Sequence, residues 1–455
     1  MTGWRKWAVA LATAVLTLSA AATGFAGDST VSVRRLGPPD IEARREALLR
    51  EMIARPSDLD LAFEYAQLSS QVGDYEGAVS TLERMLIYAP NTPRIQLELG
   101  ILYYRLGAYE VARSYFEQAL ANPSVPPSVA AQIRLYLQQL SLAADPPPFS
   151  ATIFSAIRWE SNANAGPGTN SVTLNGIDFT LDNQSVGRAG WSALNIGTLH
   201  YAWDLKNQGD RIEFDALAYS TAYFDKKLDD IDLDFFEFTL GPSFNMRRWG
   251  MDKTRAYVYA IGDLAYLGYQ SYFTAPGGGV RLLSLGDRSV LDARVESRYR
   301  DFENNSDIPT NSERTGAQTR AGATYSYYLS PALVATAQLY GQREDARAAF
   351  WSDWEIAFSG GFAWTFNNPL WQSLYPWTLQ VGGGVIRRNY DKPDPTINPL
   401  VAEEDTEWWT RGAIVIPVAE TWALVPQVEY RNQESNYDIR QYDDLMALIG
   451  VQKRF

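Results

Sequence analysis

The chain has 455 residues, a formal net charge of -13 and no cysteine. That acid excess lacks the basic footprint of a nucleic-acid binder. The missing cysteines exclude a disulfide framework, thiolate metal sites, cysteine catalysis and any lipid anchor attached through a thiol.

Arg5 and Lys6 precede an apolar run from Ala8 to Leu18, and Gly24-Phe25-Ala26 offers small residues for cleavage. This pattern predicts a cleaved export signal over residues 1–26, because the run is too short to span a bilayer and lacks stop-transfer charges. No later segment approaches the roughly 20 consecutive apolar residues of a spanning helix. The mature protein is therefore expected beyond the inner membrane.

Residues 27–144 read as a helical domain with an internal period of 34. Ala66 matches Gly100, Gly73 matches Gly107, Tyr75 matches Tyr109, Ala78 matches Ala112, and Leu82 matches Phe116. These residues resemble the tetratricopeptide repeat (TPR), a helix-turn-helix unit in which small residues let paired helices approach and a large one fills the gap. Pro90 stands at the helix-ending position of the first repeat, and Pro123 is one place early in the second. Two repeats, about 59–92 and 93–126, need capping helices. Ile41–Ile53 and Val129–Leu142 are amphipathic enough to serve. The consensus places Phe63, Gln67, Arg94, Leu97, Ile101 and Tyr104 on a concave face. They are candidates for client contact, or alternatively packing residues of a rigid spacer.

Residues 145–148, Asp-Pro-Pro-Pro, form a stiff linker. Beyond it the helical period gives way to alternation. From Val290 to Arg300 one face carries Asp292, Arg294, Glu296, Arg298 and Arg300, and the other Leu291, Ala293, Val295, Ser297 and Tyr299. A strand with five charges on one face and an apolar opposite face meets two solvents, lipid and a watery lumen. Strands are predicted near 149–161, 187–204, 210–224, 231–247, 255–270, 273–286 and 289–302. Seven more follow near 313–328, 332–344, 351–366, 376–390, 405–418, 421–435 and 439–455. The fold class is thus α+β multidomain: an N-terminal α-solenoid and, over 149–455, a transmembrane antiparallel barrel of about fourteen strands. Connections at one end are mostly longer than at the other, the polarity of outer loops over inner turns. A very short outer turn nevertheless falls near 271. Trp203, Trp249, Tyr327, Tyr328, Trp364, Trp377 and Trp422 gather near the expected periplasmic ends, the interface that amphipathic rings favour. Phe455 closes an alternating strand and resembles the barrel-assembly signal of bacterial outer-membrane proteins, with Lys453 departing from that pattern.

Trp159-Glu160-Ser161-Asn162-Ala163-Asn164-Ala165-Gly166-Pro167 is similar to the Asn-rich sequence after the first barrel strand of the surface lipoprotein assembly modifier family. The domain order and strand count resemble that family too. The resemblance implies a barrel in the outer membrane of a Gram-negative bacterium, with its TPR domain in the periplasm. It further implies help in delivering lipoproteins or other secreted proteins to the surface. The partners expected are outer-membrane lipid, the barrel-assembly machinery and a client protein or periplasmic chaperone. Polysaccharide export is the alternative, and a passive porin the third reading.

No enzyme chemistry and no cofactor is expected: His200 is the single histidine, without a recognisable nucleophile motif. Asp229, Asp230, Asp232 and Asp234 lack the glycine and terminal glutamate of a calcium loop and read as a solvated tip. Arg294, Arg298, Arg300, Arg320 and Arg431 are candidate lumen charges, either guiding an acidic passenger or pairing with Glu296, Asp292 and Glu429 as wall structure. The triplets Gly277–Gly279 and Gly382–Gly384 are not phosphate loops, since no helix follows; they let strands bend or leave room for a plug.

Overall fold

A computed structural model describes residues 39–455 apart from 56–57, 107, 123–124, 126–128, 131–132, 135, 138–147, 183–184, 252, 287, 307, 331, 367 and 370–374. The export signal and the linker up to Pro147 lie outside the described residues. The chain divides into two compact units at Pro147–Pro148.

The first unit holds α1 (Pro39–Ala54), α2 (Leu59–Gln71), α3 (Tyr75–Tyr88), α4 (Pro93–Arg105) and α5 (Tyr109–Ala121). Asp58 and Asp74 start α2 and α3 by accepting hydrogen bonds from Leu61 N and Gly77 N, which satisfies donors that a helix leaves free. The pairs α2–α3 and α4–α5 pack as the 34-residue period predicts. Ala66, Ala78 and Ala112 are buried, and Leu82 and Phe116 fill the space between them. Gly100 is small for a measurable reason: a Cβ there would stand 2.6 Å from the Phe116 ring. Tyr103 and Tyr115 stack at 5.6 Å, and Tyr103 donates to Glu83 at 2.6 Å, a bond that pushes the phenol up to about 12.

Helix α1 is clamped onto this block by Arg45, which is 7% exposed. Its guanidinium donates to Ser69 Oγ at 3.1 Å and to Glu42 at 3.0 Å, and it pairs with Asp74, the residue that caps α3. Removing one side of such a buried pair strands the other charge. Arg45→Ala is expected to cost the helical unit about 2 kcal/mol. A thermal melt of the full chain followed by far-ultraviolet circular dichroism should lose its helical component several degrees earlier, with the sheet component unmoved.

The second unit opens with β1 (Phe149–Glu160), followed by a short hairpin of β2 (Ser171–Leu174) and β3 (Ile177–Thr180) that the alternation does not disclose. Long strands follow: β4 (Gly190–Asp204), β5 (Arg211–Tyr223), β6 (Leu233–Asn245), β7 (Thr254–Leu267), β8 (Gln270–Leu285) and β9 (Ser289–Phe302). The remainder are β10 (Gly316–Ser330), β11 (Leu333–Ala346), β12 (Asp353–Phe366), β13 (Trp377–Tyr390), β14 (Glu404–Ala419), β15 (Trp422–Ser435) and β16 (Tyr442–Arg454). The hairpin apart, these strands form one closed antiparallel barrel of fourteen, each paired with its neighbour in the chain and β1 with β16. Closure leaves no sheet edge. No helix of the described residues is long and apolar enough to cross a membrane.

The outward faces carry an apolar belt, with Ile157, Leu240, Val295, Leu339, Phe358, Val381 and Ile449 among its exposed members. Trp203, Trp249, Trp364 and Trp422 stand exposed at the end with short turns. Tyr328 does not join them. Side chains alternate across a strand, so the adjacent Tyr327 takes the outer face and Tyr328 falls in the row of inward Gly316, Gln318 and Arg320.

The short turn before β8 is present, but at Gly268–Tyr269 rather than near 271. Gly268 and Tyr269 adopt φ of 55° and 64°. That pair of positive angles is what a two-residue hairpin of type I′ needs. Lys453 also finds its reason. Its ammonium bonds Thr421 Oγ1 at 2.7 Å and lies 4.8 Å from the Trp422 ring and 5.4 Å from that of Phe455. The charge thereby reaches the polar edge of the belt while its stem lies along apolar surface.

Candidate functional site

The candidate residues fall on two surfaces: one face of the helical unit and the interior of the barrel. On the helical unit, Arg94 of α4 lies over the Phe63 ring of α2 at 4.2 Å, and Gln67 is exposed on the same helix as Phe63. Leu97 and Ile101 are half-buried against the cluster of Ala112, Phe116 and Ile133. Tyr104 belongs to that cluster. It is 7% exposed and meets the Tyr136 ring edge-on at 6.2 Å. The expectation that all six residues project into an open groove therefore needs correction, because the segment carrying Val129, Ile133 and Tyr136 covers the face at Tyr104. Phe63, Gln67 and Arg94 form the accessible part.

Inside the barrel, the alternating charges of β9 all point inward, as their register with β10 requires. Arg298 donates to Asp263 at 2.7 Å, Glu296 at 2.9 Å and Glu237 at 3.1 Å. Arg300 pairs with Glu344, and Arg431 meets Glu429 at 3.1 Å and Glu407 at 3.2 Å. Arg294 shares Asp292 with Arg281. Arg320 stands apart: its guanidinium lies 3.7 Å from the Tyr340 ring centre, and it makes no ion pair among the described residues. The structure thus splits the five arginines. Arg298, Arg300 and Arg431 are wall structure with little exposure, while Arg294 and Arg320 remain partly accessible.

Burial inside the barrel changes along its axis. Toward the long-loop end the inward side chains are dry. Leu194, Tyr219, Phe235, Ala265, Phe273 and Phe302 pack as one apolar cluster, and Arg158 and Glu160 pair at 3.0 Å nearby. Toward the short-turn end, Ser150, Thr198, His200, Asp215, Thr324 and Ser326 are partly or fully exposed, with a small buried patch around Glu213 and Ser243 as the exception. Loops reinforce the dry end. Ile308 packs on the apolar cluster, and Asn311 Nδ2 donates to the Tyr272 and Glu303 carbonyls at 3.2 and 2.9 Å.

The first long loop is built on Asn162, which is buried. Its backbone N–H donates to Asp444 Oδ1 at 2.9 Å, its Nδ2 donates to the Gly166 carbonyl at 2.8 Å, and its Oδ1 accepts from Gly166 N at 3.0 Å. A Cβ on Gly187 would fall 2.7 Å from the same side chain, so this turn closes only with glycine there. The β2–β3 hairpin then reaches the neighbouring loops: Asn175 N donates to the Ile397 carbonyl at 2.6 Å and Thr173 N to Asp438 at 3.4 Å. The Asn-rich stretch is thus the fastening of a loop to the rim.

His200 Nδ1 lies 2.7 Å from Asp215 Oδ1, a cross-strand polar pair on the inward face. Of the four aspartates expected at a solvated tip, Asp232 is instead buried, accepting from Tyr223 N and from Tyr269 OH at 2.7 and 2.8 Å, which gives it a structural role in its loop. No carboxylate–histidine group among the described residues could hold a metal ion. Gly277 and Gly279 leave room for neighbours: a Cβ would meet Arg298 Cβ at 2.7 Å and the Tyr259 ring at 2.8 Å.

No protein-family model matches the chain, and no curated protein matches it. Among solved structures the barrel is similar to a FadL homologue of Pseudomonas aeruginosa, at 10% identity over 69% of this chain and 93% of that one, TM-score 0.37. It is also similar to a bacterial polysaccharide outer membrane secretin, at 11% identity over 67% and 98%, TM-score 0.36. The helical unit is similar to the Yersinia enterocolitica type III secretion chaperone SycD, solved with a peptide of the translocator YopD. That match has 13% identity over 23% and 83%, TM-score 0.22. Likenesses this low in identity and score assign no function.

Proposed function

We propose that this protein is an outer-membrane barrel that assists the translocation or surface display of lipoproteins or other secreted proteins, its helical unit meeting the client or its chaperone in the periplasm. The observation that carries the reading is the graded interior. It is accessible at the end where β1 begins, and at the other end it is dry, ion-paired and tied under loops. A passive porin needs a standing aqueous path, whereas a device that handles one client at a time works with an end that opens on demand. The Phe63–Arg94 pair gives the helical unit an aromatic and a cationic group on one small surface, suited to a short peptide segment. Polysaccharide export is the second reading, and two repeats form a small platform for it.

Surface protease shaving with proteomics, comparing a deletion strain with its parent, separates these readings. Loss of specific surface proteins from the deletion strain is the expected result. Unchanged surface proteins with lost extracellular polymer would move the assignment to polysaccharide export, and altered small-solute uptake alone would move it to a porin.

A further inference from the structure

Arg281 of β8 and Arg294 of β9 are direct cross-strand partners on the inward face. Like charges placed opposite each other destabilise a sheet unless an anion stands between them. Asp292 does so here, accepting from Arg281 at 2.7 Å and from Arg294 at 3.0 Å. The same row continues through Gly322 of β10 to Tyr340 of β11. At Gly322 a Cβ would fall 2.7 Å from Tyr340 Cβ, so glycine is what lets the ring lie close. Over that ring sits the guanidinium of Arg320. Two guanidiniums therefore adjoin on this row around one shared carboxylate, and the third, Arg320, reaches the row's Tyr340 ring from the next row, where it stands opposite Glu296. The next acids are already engaged: Glu296 with Arg298 and the Tyr259 hydroxyl, Glu355 with Arg388 and the Tyr340 hydroxyl. Unlike Arg298, these arginines reach solvent, with the Arg281 and Arg294 side chains 30% and 38% exposed.

We propose that the cluster of Arg281, Arg294 and Arg320 is a binding site for carboxylates of an acidic, extended segment of the passenger polypeptide. This inference rests on the protein-handling function proposed above and names the chemistry its client presents inside the barrel. Guanidinium forks match carboxylates in two-point hydrogen bonds. An extended peptide spaces alternate side chains by roughly 6.5–7 Å on one face, so a short acidic segment presents several carboxylates to the cluster together. The excess positive charge, partly desolvated by the barrel wall, favours such a ligand over a neutral or basic one.

The test uses the full chain in detergent and a fluorescently labelled hexaglutamate peptide, followed by anisotropy, with hexalysine as the comparison. Hexaglutamate should bind and hexalysine should not. The Arg294→Gln, Arg320→Gln double variant should bind hexaglutamate about tenfold more weakly, and the Lys, Lys pair, which keeps the charge but loses the fork, should fall between it and the parent. Heat-modifiable mobility on gels identifies variants that remain folded, and the lysine pair supplies the comparison if the glutamine pair does not fold. Undiminished binding by the folded double variant would overturn the site. So would loss of binding in Arg94→Gln alone, which would put the peptide on the helical unit, or tighter binding of an oligogalacturonate than of hexaglutamate. If the cluster binds hexaglutamate as described while a deletion strain keeps its surface proteins unchanged, the site stands and the display function falls.

Discussion

Arg298→Met is expected to destabilise the barrel by about 3–5 kcal/mol, enough to deplete the folded form in the membrane. The magnitude follows from what the substitution leaves behind. Arg298 reaches Glu237 on β6, Asp263 on β7 and Glu296 on β9 at once, and its own side chain is 7% exposed. Methionine matches much of its volume but leaves three carboxylates close together without this cation. A second variant isolates the cause: adding Glu237→Gln, Asp263→Asn and Glu296→Gln to Arg298→Met removes the stranded charges and should restore most of the stability. Heat-modifiability and urea unfolding in detergent give the readout. Equal instability of the neutral quadruple variant would mean that packing, rather than charge, holds this part of the wall.

Replacing residues 168–186 with Gly-Gly should raise small-solute uptake through the barrel several-fold. The excision is mild for the backbone, because Gly187 N already donates to the Pro167 carbonyl at 3.1 Å. The two ends of the excursion thus nearly meet, as in other compact surface loops. What is lost is the hairpin that reaches the Ile397 carbonyl and Asp438, together with Val172, a buried side chain of the loop. The fastening at Asn162, Gly166 and Asp444 stays, so the rim itself should fold as before. Uptake of a dye that normally enters slowly, measured in intact cells, reports the change. No increase would assign the seal to the side chains of the outer half of the interior and leave the hairpin without a gating role.

The barrel is legible in the sequence because two solvents impose a period of two. Each strand that faces lipid on one side and polar interior on the other must alternate, and fourteen such stretches close the sheet. The inward set of β9 can be read residue by residue for the same reason. Its partners cannot. Asp263 and Glu237 sit on β7 and β6, and only the register of these strands across β8, where Ala275 and Gly277 leave room, brings them to Arg298. The β2–β3 hairpin escapes notice because strands of four residues within a polar loop carry too little alternation to stand out. Tyr104 is misplaced for a different reason. The repeat consensus locates a position on its helix, but the segment that follows the last repeat decides whether that position is open, and here Tyr136 covers it. The split among the lumen arginines is likewise invisible, since Arg298 and Arg320 occupy inward positions of adjacent strands and differ only in which acids come within reach.

Deletion of residues 28–145 most directly tests the claim that the helical unit engages a client and the barrel supplies its route. The chain divides into two compact units at the proline linker, so the truncated chain should still insert as a heat-modifiable barrel. Surface protease shaving of cells carrying only this truncated chain should then show cargo display reduced nearly to the level of a full deletion. Cargo displayed as well by the truncated barrel as by the full chain would contradict the account.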